Sequence, residues 1–544
     1  MDTNLTSQIR RGEMKTALSS DTKEIFLVLL FSTVLFYFLF GLKILNPTYT
    51  DWLYVGDYYQ NYASIVMYRF SHIGFPLGDI YNADSPVGAN IIFSDGNLLL
   101  GFILKALSPV LPAKAQIYGL WLYACFILQF LSAGWLLKTM KVSGIYRIIG
   151  IFIIGLYPPF LARIGHLNLM AHFLIISGIT FFFINMPTNK KVLWITLLTL
   201  LASLIHFYFV PILAGITFFI LLKDSFTDKA KIMRNISYLT MSATSLIIFM
   251  FCVGYFSGFK GSTGGLGFYS MNILSPFDAM GTSRFLGRIP HGTDGQYEGF
   301  QYFGMGLFLL LLLCLLKKDT RAMFISYFDK YILAYILIIT VISISTVWYI
   351  GSIKLFEVHL PILLEKALSP FRASGRLFWV TGYIISAAAV SAVSSSFKNR
   401  RTALFVLCVA MLFQLAENKN YFMMEKRRFV KDAKADRHEY IDMVRWLKIK
   451  SLLNKPIYVD GTWDDRRNMI TNIAEEAGSS LYSIGPWIHI RESARFSDIH
   501  SDYLHETEKR DGLLISLYSF PKGKMTVPIY KSEHFTIYAE ENQQ

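Results

Sequence analysis

A carboxylate among polar side chains opens the first long polar segment of the chain, in the motif GDYYQN at positions 56–61. Asp57 could accept a proton from a substrate hydroxyl, as a general base does. It could instead cap the helix that follows, because aspartate is favoured where free backbone N–H groups point outward. Gln60 and Asn61, one turn further on, are predicted to contact the substrate. The same segment holds four other acids: Asp51, Asp79, Asp84 and Asp95.

Two arginines four residues apart, Arg372 and Arg376, stand just before an apolar run that begins at Leu377. On a helix, residues at this spacing share one face. Guanidinium groups bind phosphate through paired hydrogen bonds, so the pair could hold a lipid phosphate. The alternative is that both side chains extend to the lipid headgroups. Arg163, which also follows an apolar run, is predicted as a third phosphate-binding residue.

Three histidines, His166, His172 and His206, lie in short polar turns between apolar runs. Polar residues at membrane depth tend to line functional cavities, so we predict that these histidines contact the substrate. They could also bind zinc, but their spacing matches no HExxH or comparable ligand motif. The sequence therefore predicts neither a metal nor another cofactor.

The motif QYEGFQYFG at positions 296–304 precedes another apolar run. Glu298 could contact sugar hydroxyls, and Tyr302 could stack on a pyranose face together with Tyr297 and Phe300. The alternative is a belt of aromatic side chains at the membrane interface.

The elements that must position these residues are membrane helices. Hydrophobic residues make up 53% of the 544 residues and charged residues 17%, against about 45–50% and about 25% in a soluble protein. This composition excludes a typical soluble enzyme and predicts a polytopic α-helical membrane protein with about eleven transmembrane helices. The predicted spans lie near 25–45, 116–137, 145–162, 167–186, 192–207, 208–222, 236–256, 300–316, 331–350, 377–397 and 402–418.

The stretch 192–222 could hold one long tilted helix or two short helices broken near His206. Lys190 and Lys191 precede it, and Lys223 and further basic residues follow it. Basic residues accumulate on the cytoplasmic side, so both ends belong there and the number of crossings is even. We therefore predict two short helices, or a re-entrant pair with its apex at His206.

The same rule orients the rest of the chain and explains the net charge of +14 without a nucleic-acid partner. Residues 1–24 form a cytoplasmic tail, 25–418 the transmembrane domain and 419–544 a domain on the outer face, which in a bacterium is the periplasm. The long first outer loop, 46–115, is predicted to contain an amphipathic interfacial helix over Tyr58–Phe70 and a short interfacial segment over Leu98–Leu111. The C-terminal domain is predicted to be a small soluble α/β domain, with a charged helix over Glu425–Lys450 and strands near Pro456–Asp460, Leu513–Tyr518 and Phe535–Ala539.

The chain resembles a known superfamily through a series of short strings: GDYYQ, FPLG, FSDG, RIGHLNLMAHF, IHFYF, YEGFQYFG and FRASGRLFW. Their order, with the long first outer loop and the soluble C-terminal domain, is similar to a largely uncharacterised bacterial branch of the GT-C superfamily of polyprenyl-phosphate-sugar glycosyltransferases. The resemblance covers roughly residues 25 to 420. Several members carry an Asp-Asp or Asp-Glu doublet, whereas here Tyr58 follows Asp57.

The resemblance implies a GT-C-like transmembrane domain in the bacterial inner membrane. It further implies transfer of a sugar, with inversion, from an undecaprenyl-phosphate donor to a cell-surface polysaccharide, as in O-antigen modification of lipopolysaccharide. Asp57 would be the general base, and arginines of later outer loops would hold the carrier phosphate.

Two other functions remain open from the sequence. A flippase or other transporter of lipid-linked oligosaccharides would also need arginines and polar groups within the membrane, although transporters usually show repeated halves with paired broken helices. A glycan polymerase would differ by using a diphosphate-linked donor.

Overall fold

The computed structural model describes residues 22–53, 56–80, 89–112, 115–257, 265–430, 457–460, 513–516, 525–531 and 536–540. The first 21 residues, Asp84 and most of the segment Glu425–Lys450 lie outside the described residues.

The described chain is mostly helical. The helices are α1 Thr22–Phe40, α2 Gly56–Phe70, α3 Leu98–Ala106, α4 Tyr118–Thr139, α5 Gly144–Gly155, α6 Pro158–Leu161, α7 Phe173–Phe183, α8 Thr188–Ile205, α9 Phe209–Thr227, α10 Ile232–Val253, α11 Met305–Leu316, α12 Lys318–Ser326, α13 Lys330–Ile344, α14 Ile362–Leu368, α15 Trp379–Ser396 and α16 Arg400–Val430. The strands are β1 Asp79–Ile80, β2 Ala89–Asn90, β3 Val347–Ile350, β4 Ile353–Glu357, β5 Ile457–Asp460, β6 Leu513–Ser516, β7 Met525–Lys531 and β8 Thr536–Glu540.

Seven helical segments of the described chain are long and apolar enough to cross a membrane: Thr22–Phe40, Tyr118–Thr139, Thr188–Ile205, Phe209–Thr227, Lys229–Val253, Ser374–Ser396 and Arg400–Asn420. Helices α12 and α13, bent by 83° relative to each other, together form an eighth candidate. Three shorter apolar helices are Gly144–Gly155, Leu167–Phe183 and Met305–Leu316. Every predicted span overlaps one of these segments, but the total of eleven crossings stays a prediction.

The ambiguous stretch 192–222 is two helices rather than one. Helix α8 ends at Ile205 and α9 begins at Phe209. Between them His206 has an extended backbone, with φ of −163° and ψ of 131°. Pro211 lies in the first turn of α9, where its missing N–H leaves no hydrogen bond unmade. With 18 and 19 residues, the two helices are longer than the short pair that the sequence predicts.

Helix α2 of the first loop is present but differs from the predicted amphipathic helix. From Gln60 to Arg69 every residue is buried, including the polar Asn61 and Ser64. Helix α3 packs against it, with the Tyr68 and Phe102 ring centroids 6.0 Å apart. The helix over Tyr58–Phe70 therefore lacks the exposed polar face of the predicted amphipathic helix, because elements distant in sequence cover it.

Helix α15 is the centre of the bundle. The span that contains it is 94% buried, against 11% for the span that contains α10. Small side chains such as Ala388 and Ser391 let neighbouring helices approach it closely, as is common where membrane helices pack. Tyr383 on α15 links α4 and α7, because its hydroxyl lies 2.8 Å from Gln129 Nε2 and 2.9 Å from His172 Nδ1.

The C-terminal strands form one four-stranded sheet in the order β5-β6-β8-β7. Strands β5 and β6 are parallel, whereas β8 pairs antiparallel with both β6 and β7. Strands β5, β6 and β8 coincide with the three segments in which the sequence predicts strands. The extent of a separate α/β domain over 419–544, and the side of the membrane on which it lies, stay predictions.

Candidate functional site

A largely buried carboxylate bridges two arginines that are distant in sequence. Arg376 donates to both oxygens of Glu298, from Nη2 to Oε1 at 2.8 Å and from Nε to Oε2 at 3.1 Å. Arg163 Nη1 donates to Oε2 at 2.7 Å. Arg163 and Arg376 are only 7% and 4% exposed. We call these three residues the charged cluster.

Three irregular segments bring the charged cluster together. Glu298 lies in a 3-10 helix over Asp294–Gly299, Arg376 in another over Ser374–Phe378, and Arg163 in the turn after α6. The two 3-10 helices touch through glycines, and a Cβ built on Gly375 would lie 2.5 Å from the Cα of Gly299. The short paired bonds between Arg376 and Glu298 depend on this close approach.

The charged cluster carries one net positive charge. Burial alone would raise the pKa of Glu298, but Arg376 and Arg163 hold it well below its usual range. Glu298 is therefore ionised at neutral pH, and two guanidinium groups share one carboxylate.

The arginines of the charged cluster keep unused donors. Among the described residues, Arg163 Nε and Arg376 Nη1 are buried and have no hydrogen-bond partner. Each guanidinium also lies near an aromatic ring, Arg163 at 5.7 Å from the Trp379 centroid and Arg376 at 4.9 Å from that of Tyr208. Buried donors without partners are costly, so this arrangement is suited to an anion that would accept from them.

A cavity of about 270 Å³ opens beside the charged cluster. We call it the polar cavity; its walls include Asp57, Arg163, His166, Tyr297 and Glu298. Asp57 is exposed in the first turn of α2, so its carboxylate is accessible from this space. Burial, followed by the charge of Glu298, raises the pKa of Tyr297 above its ordinary value, so this phenol stays protonated.

A second cavity, of about 240 Å³, lies on the other side of His166 and His206. We call it the apolar cavity, because most of its wall is made of hydrophobic side chains from the first loop, the end of α8, the break that follows α8, and the end of α10 with the residues after it. Its lining residues include Ile92, Phe93, Leu204, Phe207, Met250 and Phe256, with Asp95, Asn168 and His206 as polar members.

Asp95, His166 and His206 converge between the two cavities. Each offers one ligand atom, and the three atoms lie within 4.8 Å of one another. The His166 and His206 ring centroids are 5.8 Å apart. Burial lowers the pKa of His166 below its ordinary value, although the nearby charge of Asp95 opposes the shift.

Side-chain amides fix the position of Asp95. Its backbone is left-handed, with φ of 55°, a conformation that aspartate tolerates better than most residues. The carbonyl oxygen of Asp95 accepts from Asn61 Nδ2 at 2.7 Å and from Asn168 Nδ2. Gln60 Nε2 lies 3.4 Å from Asp95 Oδ2. In this structure Gln60 and Asn61, predicted to bind substrate, therefore hold Asp95.

Three other predicted site residues lie apart from the polar cavity. His172 is fully buried, with its ring centroid 4.3 Å from that of Trp379. Tyr302 is 1% exposed and donates to Glu417 Oε1 at 2.5 Å. The guanidinium of Arg372 lies 5.1 Å from the Tyr269 ring centroid. Arg372, like Arg376, lines neither cavity, but unlike Arg376 it does not pair with Glu298.

The expected shared helical face of Arg372 and Arg376 is not formed. One 3-10 helix ends at Phe371 and the next begins at Ser374. Ala373 between them has ψ of 55°, outside the helical range. The sequence predicts the pair Arg372 and Arg376, whereas the structure pairs Arg376 with Arg163.

Asp95 and Asn168 are the site residues that the sequence reasoning did not select. Both occur within quoted strings, FSDG and RIGHLNLMAHF. Asp95 was one of five acids in the first loop, and no spacing signal distinguishes it, because its histidine neighbours come from segments 71 and 111 positions further on.

The fold and the site define a polytopic helical membrane protein in which a charged cavity lies next to an apolar one. Residues 29–419 match the family described as Domain of unknown function (DUF6311), and the chain belongs to this family. No curated protein matches the sequence.

Among solved structures, the chain is similar to that of ArnT from Cupriavidus metallidurans bound to undecaprenyl phosphate. The identity is 10%, the TM-score is 0.48, and the match covers 96% of this chain and 99% of that one. These values are too low for the likeness to define the fold or the function of the chain.

Proposed function

We propose that this protein is an inverting, GT-C-type glycosyltransferase of the bacterial inner membrane. It transfers a sugar from a polyprenyl-phosphate donor to a cell-surface glycan, with undecaprenyl phosphate as the carrier and an O-antigen-like polysaccharide as the acceptor. The observation that carries the proposal is that Asp57 and Arg163 line the same polar cavity. Asp57 offers an accessible carboxylate, and Arg163 is a buried arginine with an unused hydrogen-bond donor.

The charged cluster supports binding of the donor phosphate. Its net positive charge and its free donors on Arg163 and Arg376 suit the oxygens of a phosphate diester. Arg163 and Glu298 line the polar cavity, and Arg376 is fixed behind them by its hydrogen bonds to Glu298. A preorganised positive charge next to the cavity would stabilise the charge that develops on the leaving phosphate. The apolar cavity supports binding of the lipid part of the donor. Its wall is mostly hydrophobic and includes His206, which lies close to His166 of the polar cavity.

The reaction would be a single displacement. The acceptor hydroxyl oxygen attacks the anomeric carbon, and the bond from that carbon to the phosphate oxygen breaks. The proton of the hydroxyl passes to Asp57, and the electron pair of the broken bond leaves with the polyprenyl phosphate. A general base typically contributes about 10²–10⁴-fold to such a step.

The test uses purified full-length protein with a panel of polyprenyl-phosphate and polyprenyl-diphosphate sugars and a surface-glycan acceptor, and measures release of the lipid carrier. We expect one donor to be consumed with formation of an inverted glycosidic linkage. Consumption of only diphosphate-linked donors would instead indicate a polymerase, and consumption of none would favour a transporter.

Asp57→Asn tests the general base, because it keeps the size of the side chain and removes the proton acceptor. We expect turnover to fall at least about 100-fold, within the range of a general base. Asp294→Asn is a matched control, since Asp294 is also an exposed acid in the first turn of a helical segment but lines neither cavity. Wild-type turnover in Asp57→Asn would contradict the proposed role.

A further inference from the structure

We propose that Asp95, His166 and His206 bind one divalent transition-metal ion, with Zn²⁺ as the ion that fits their chemistry best. Two imidazoles and a carboxylate are common zinc ligands. The three ligand atoms already lie within 4.8 Å of one another. Around one zinc ion, at bond lengths of about 2.0–2.2 Å, such atoms lie roughly 3–4 Å apart, so only a small inward movement is required.

The ligands are prepared by their surroundings. Asn61, Asn168 and Gln60 hold the left-handed turn that carries Asp95. Among the described residues, His166 Nδ1 is buried and lacks a hydrogen-bond partner. A buried ring nitrogen without a partner is costly, and an ion next to it would remove that cost. The amides that hold Asp95 act as the outer hydrogen bonds that usually orient metal ligands.

The hydrogen bond between Tyr208 and His206 must change when the ion binds. The backbone N–H of Tyr208 donates to His206 Nδ1 at 3.3 Å. A neutral imidazole has one free lone pair, so His206 cannot accept this hydrogen bond and ligate an ion at once. This hydrogen bond is long and therefore weak, so its loss costs little compared with the bond that the imidazole would make to the ion.

The position of the three proposed ligands, Asp95, His166 and His206, favours an ion with an open coordination site. His166 lines the polar cavity, whereas Asp95 and His206 line the apolar cavity. Zinc sites with three protein ligands keep their fourth position for water or substrate, unlike closed structural sites with four. A phosphate oxygen of the lipid donor would take that position. This role rests on the proposed function, whereas binding of the metal does not.

The experiment measures metal binding directly. Full-length protein, with its affinity tag removed, is stripped with a chelator in detergent, loaded with Zn²⁺, desalted and assayed for metal by elemental analysis. We expect about one ion per chain in the wild type. In Asp95→Asn and His206→Gln we expect the affinity for Zn²⁺ to fall at least tenfold, which is the lower range for loss of even an outer-sphere partner. His172→Gln is the matched control, because His172 is a buried histidine outside the cluster and should leave binding unchanged.

A spectroscopic measurement on the wild type keeps the proposal testable if the variants fail to fold. Wild-type protein loaded with Co²⁺ should show the visible absorption of an ion bound by nitrogen and oxygen ligands in a site of low coordination number. The absence of both that band and bound Zn²⁺, or unchanged Zn²⁺ affinity in both cluster variants, would overturn the site. Bound zinc without sugar transfer would refute only the proposed function, and sugar transfer by a wild type that binds no Zn²⁺ would refute only the metal site.

Discussion

Glu298 fixes two arginines in the charged cluster while leaving part of each guanidinium unused. An arginine that used all its donors within the protein would have none left to bind a ligand. Here Arg376 donates to Glu298 from Nε and Nη2, whereas its Nη1 has no hydrogen-bond partner. Arg163 donates to Glu298 from Nη1, whereas its Nε has no hydrogen-bond partner. The carboxylate therefore orients the donors that an incoming phosphate would use.

Neither arginine of the charged cluster should be replaceable by lysine without weaker binding of the lipid donor. An ammonium group is a point charge and cannot make the paired bonds of a guanidinium. Loss of a charge-assisted hydrogen bond costs about 1.5–3 kcal/mol, and about 1.4 kcal/mol corresponds to tenfold. We expect Arg163→Lys and Arg376→Lys each to weaken use of the lipid donor at least about tenfold, measured as the apparent affinity for donor.

Arg372→Lys provides the comparison within the same segment. The sequence predicts that Arg372 also binds the phosphate, but its guanidinium lies on Tyr269 and not on Glu298. We expect a smaller loss in Arg372→Lys than in Arg376→Lys. Equal losses would support the sequence-based pair, and near-normal affinity in Arg163→Lys and Arg376→Lys would return both residues to a purely structural role.

Glu298→Gln should destabilise the protein, because it leaves two largely buried guanidinium groups without a counter-charge. Removing one partner of a buried ion pair typically costs about 3–5 kcal/mol. We expect a lower melting temperature in detergent. Glu357→Gln is the control, since Glu357 pairs with Lys354 on an exposed hairpin and its loss should have little effect. Equal melting temperatures in the two variants would contradict the importance of the charged cluster for stability.

Residue types alone predicted the participants of the charged cluster but not their partners. Arginine near an apolar run indicated phosphate, and Glu298 indicated sugar hydroxyls. Their mutual ion pairs join residues 135 and 78 positions apart, and no local pattern encodes such a contact. No local pattern distinguishes Asp95 either, because its proximity to His166 and His206 arises only in the fold.

The charged cluster depends on two glycines, Gly299 and Gly375. A Cβ on Gly375 would lie 2.5 Å from Gly299 Cα and 3.1 Å from Met271 N. Both are backbone atoms, which cannot rotate away as the end of a flexible side chain can. The segments that carry Glu298 and Arg376 therefore require a residue without a side chain at their crossing.

Gly375→Ala should push these two segments apart. Overpacking of this kind typically costs about 1–3 kcal/mol, and the bonds between Arg376 and Glu298 should lengthen. We expect a lower melting temperature together with weaker use of the donor. Gly287→Ala is the matched control, because a Cβ there meets nothing within 4 Å. A fully active and stable Gly375→Ala protein would show that the crossing is looser than the structure indicates.

Apolar length and turn residues predicted the helices well, because both act locally. The break at His206 follows from polar residues and Pro211 inside an apolar run, and the structure has it. The burial of α2 was not predictable in this way. The sequence predicts an amphipathic helix here, whereas Asn61 and Ser64 are buried and donate hydrogen bonds to backbone carbonyls of the turn that carries Asp95.

The number of membrane crossings decides on which side of the membrane the C-terminal sheet lies. An odd number, whether seven or eleven, places the two ends of the chain on opposite sides of the membrane. Eight crossings, with α12 and α13 as one bent span, would place both ends on the same side. The distribution of lysine and arginine favours the odd number, with the N-terminal end in the cytoplasm.

A reporter that is active only after export tests this topology. Fused after Gln544, it should be active, because we expect the region beyond the last span to face the periplasm. The same reporter inserted near Lys190 should be inactive, since both ends of the hairpin formed by α8 and α9 are expected in the cytoplasm. Inactivity after Gln544 would exclude an odd number of crossings from a cytoplasmic N-terminal end.

The carboxylate of Glu298 would also compete with any phosphate that binds Arg163 and Arg376, because both arginines already hold this anion. Such competition would weaken the binding of substrate and product alike. If the proposed function holds, the spent carrier must return to the lipid pool, and weaker binding of the product would shorten its residence time. Glu298, which orients the arginines, would then also limit how long the spent lipid occupies the site.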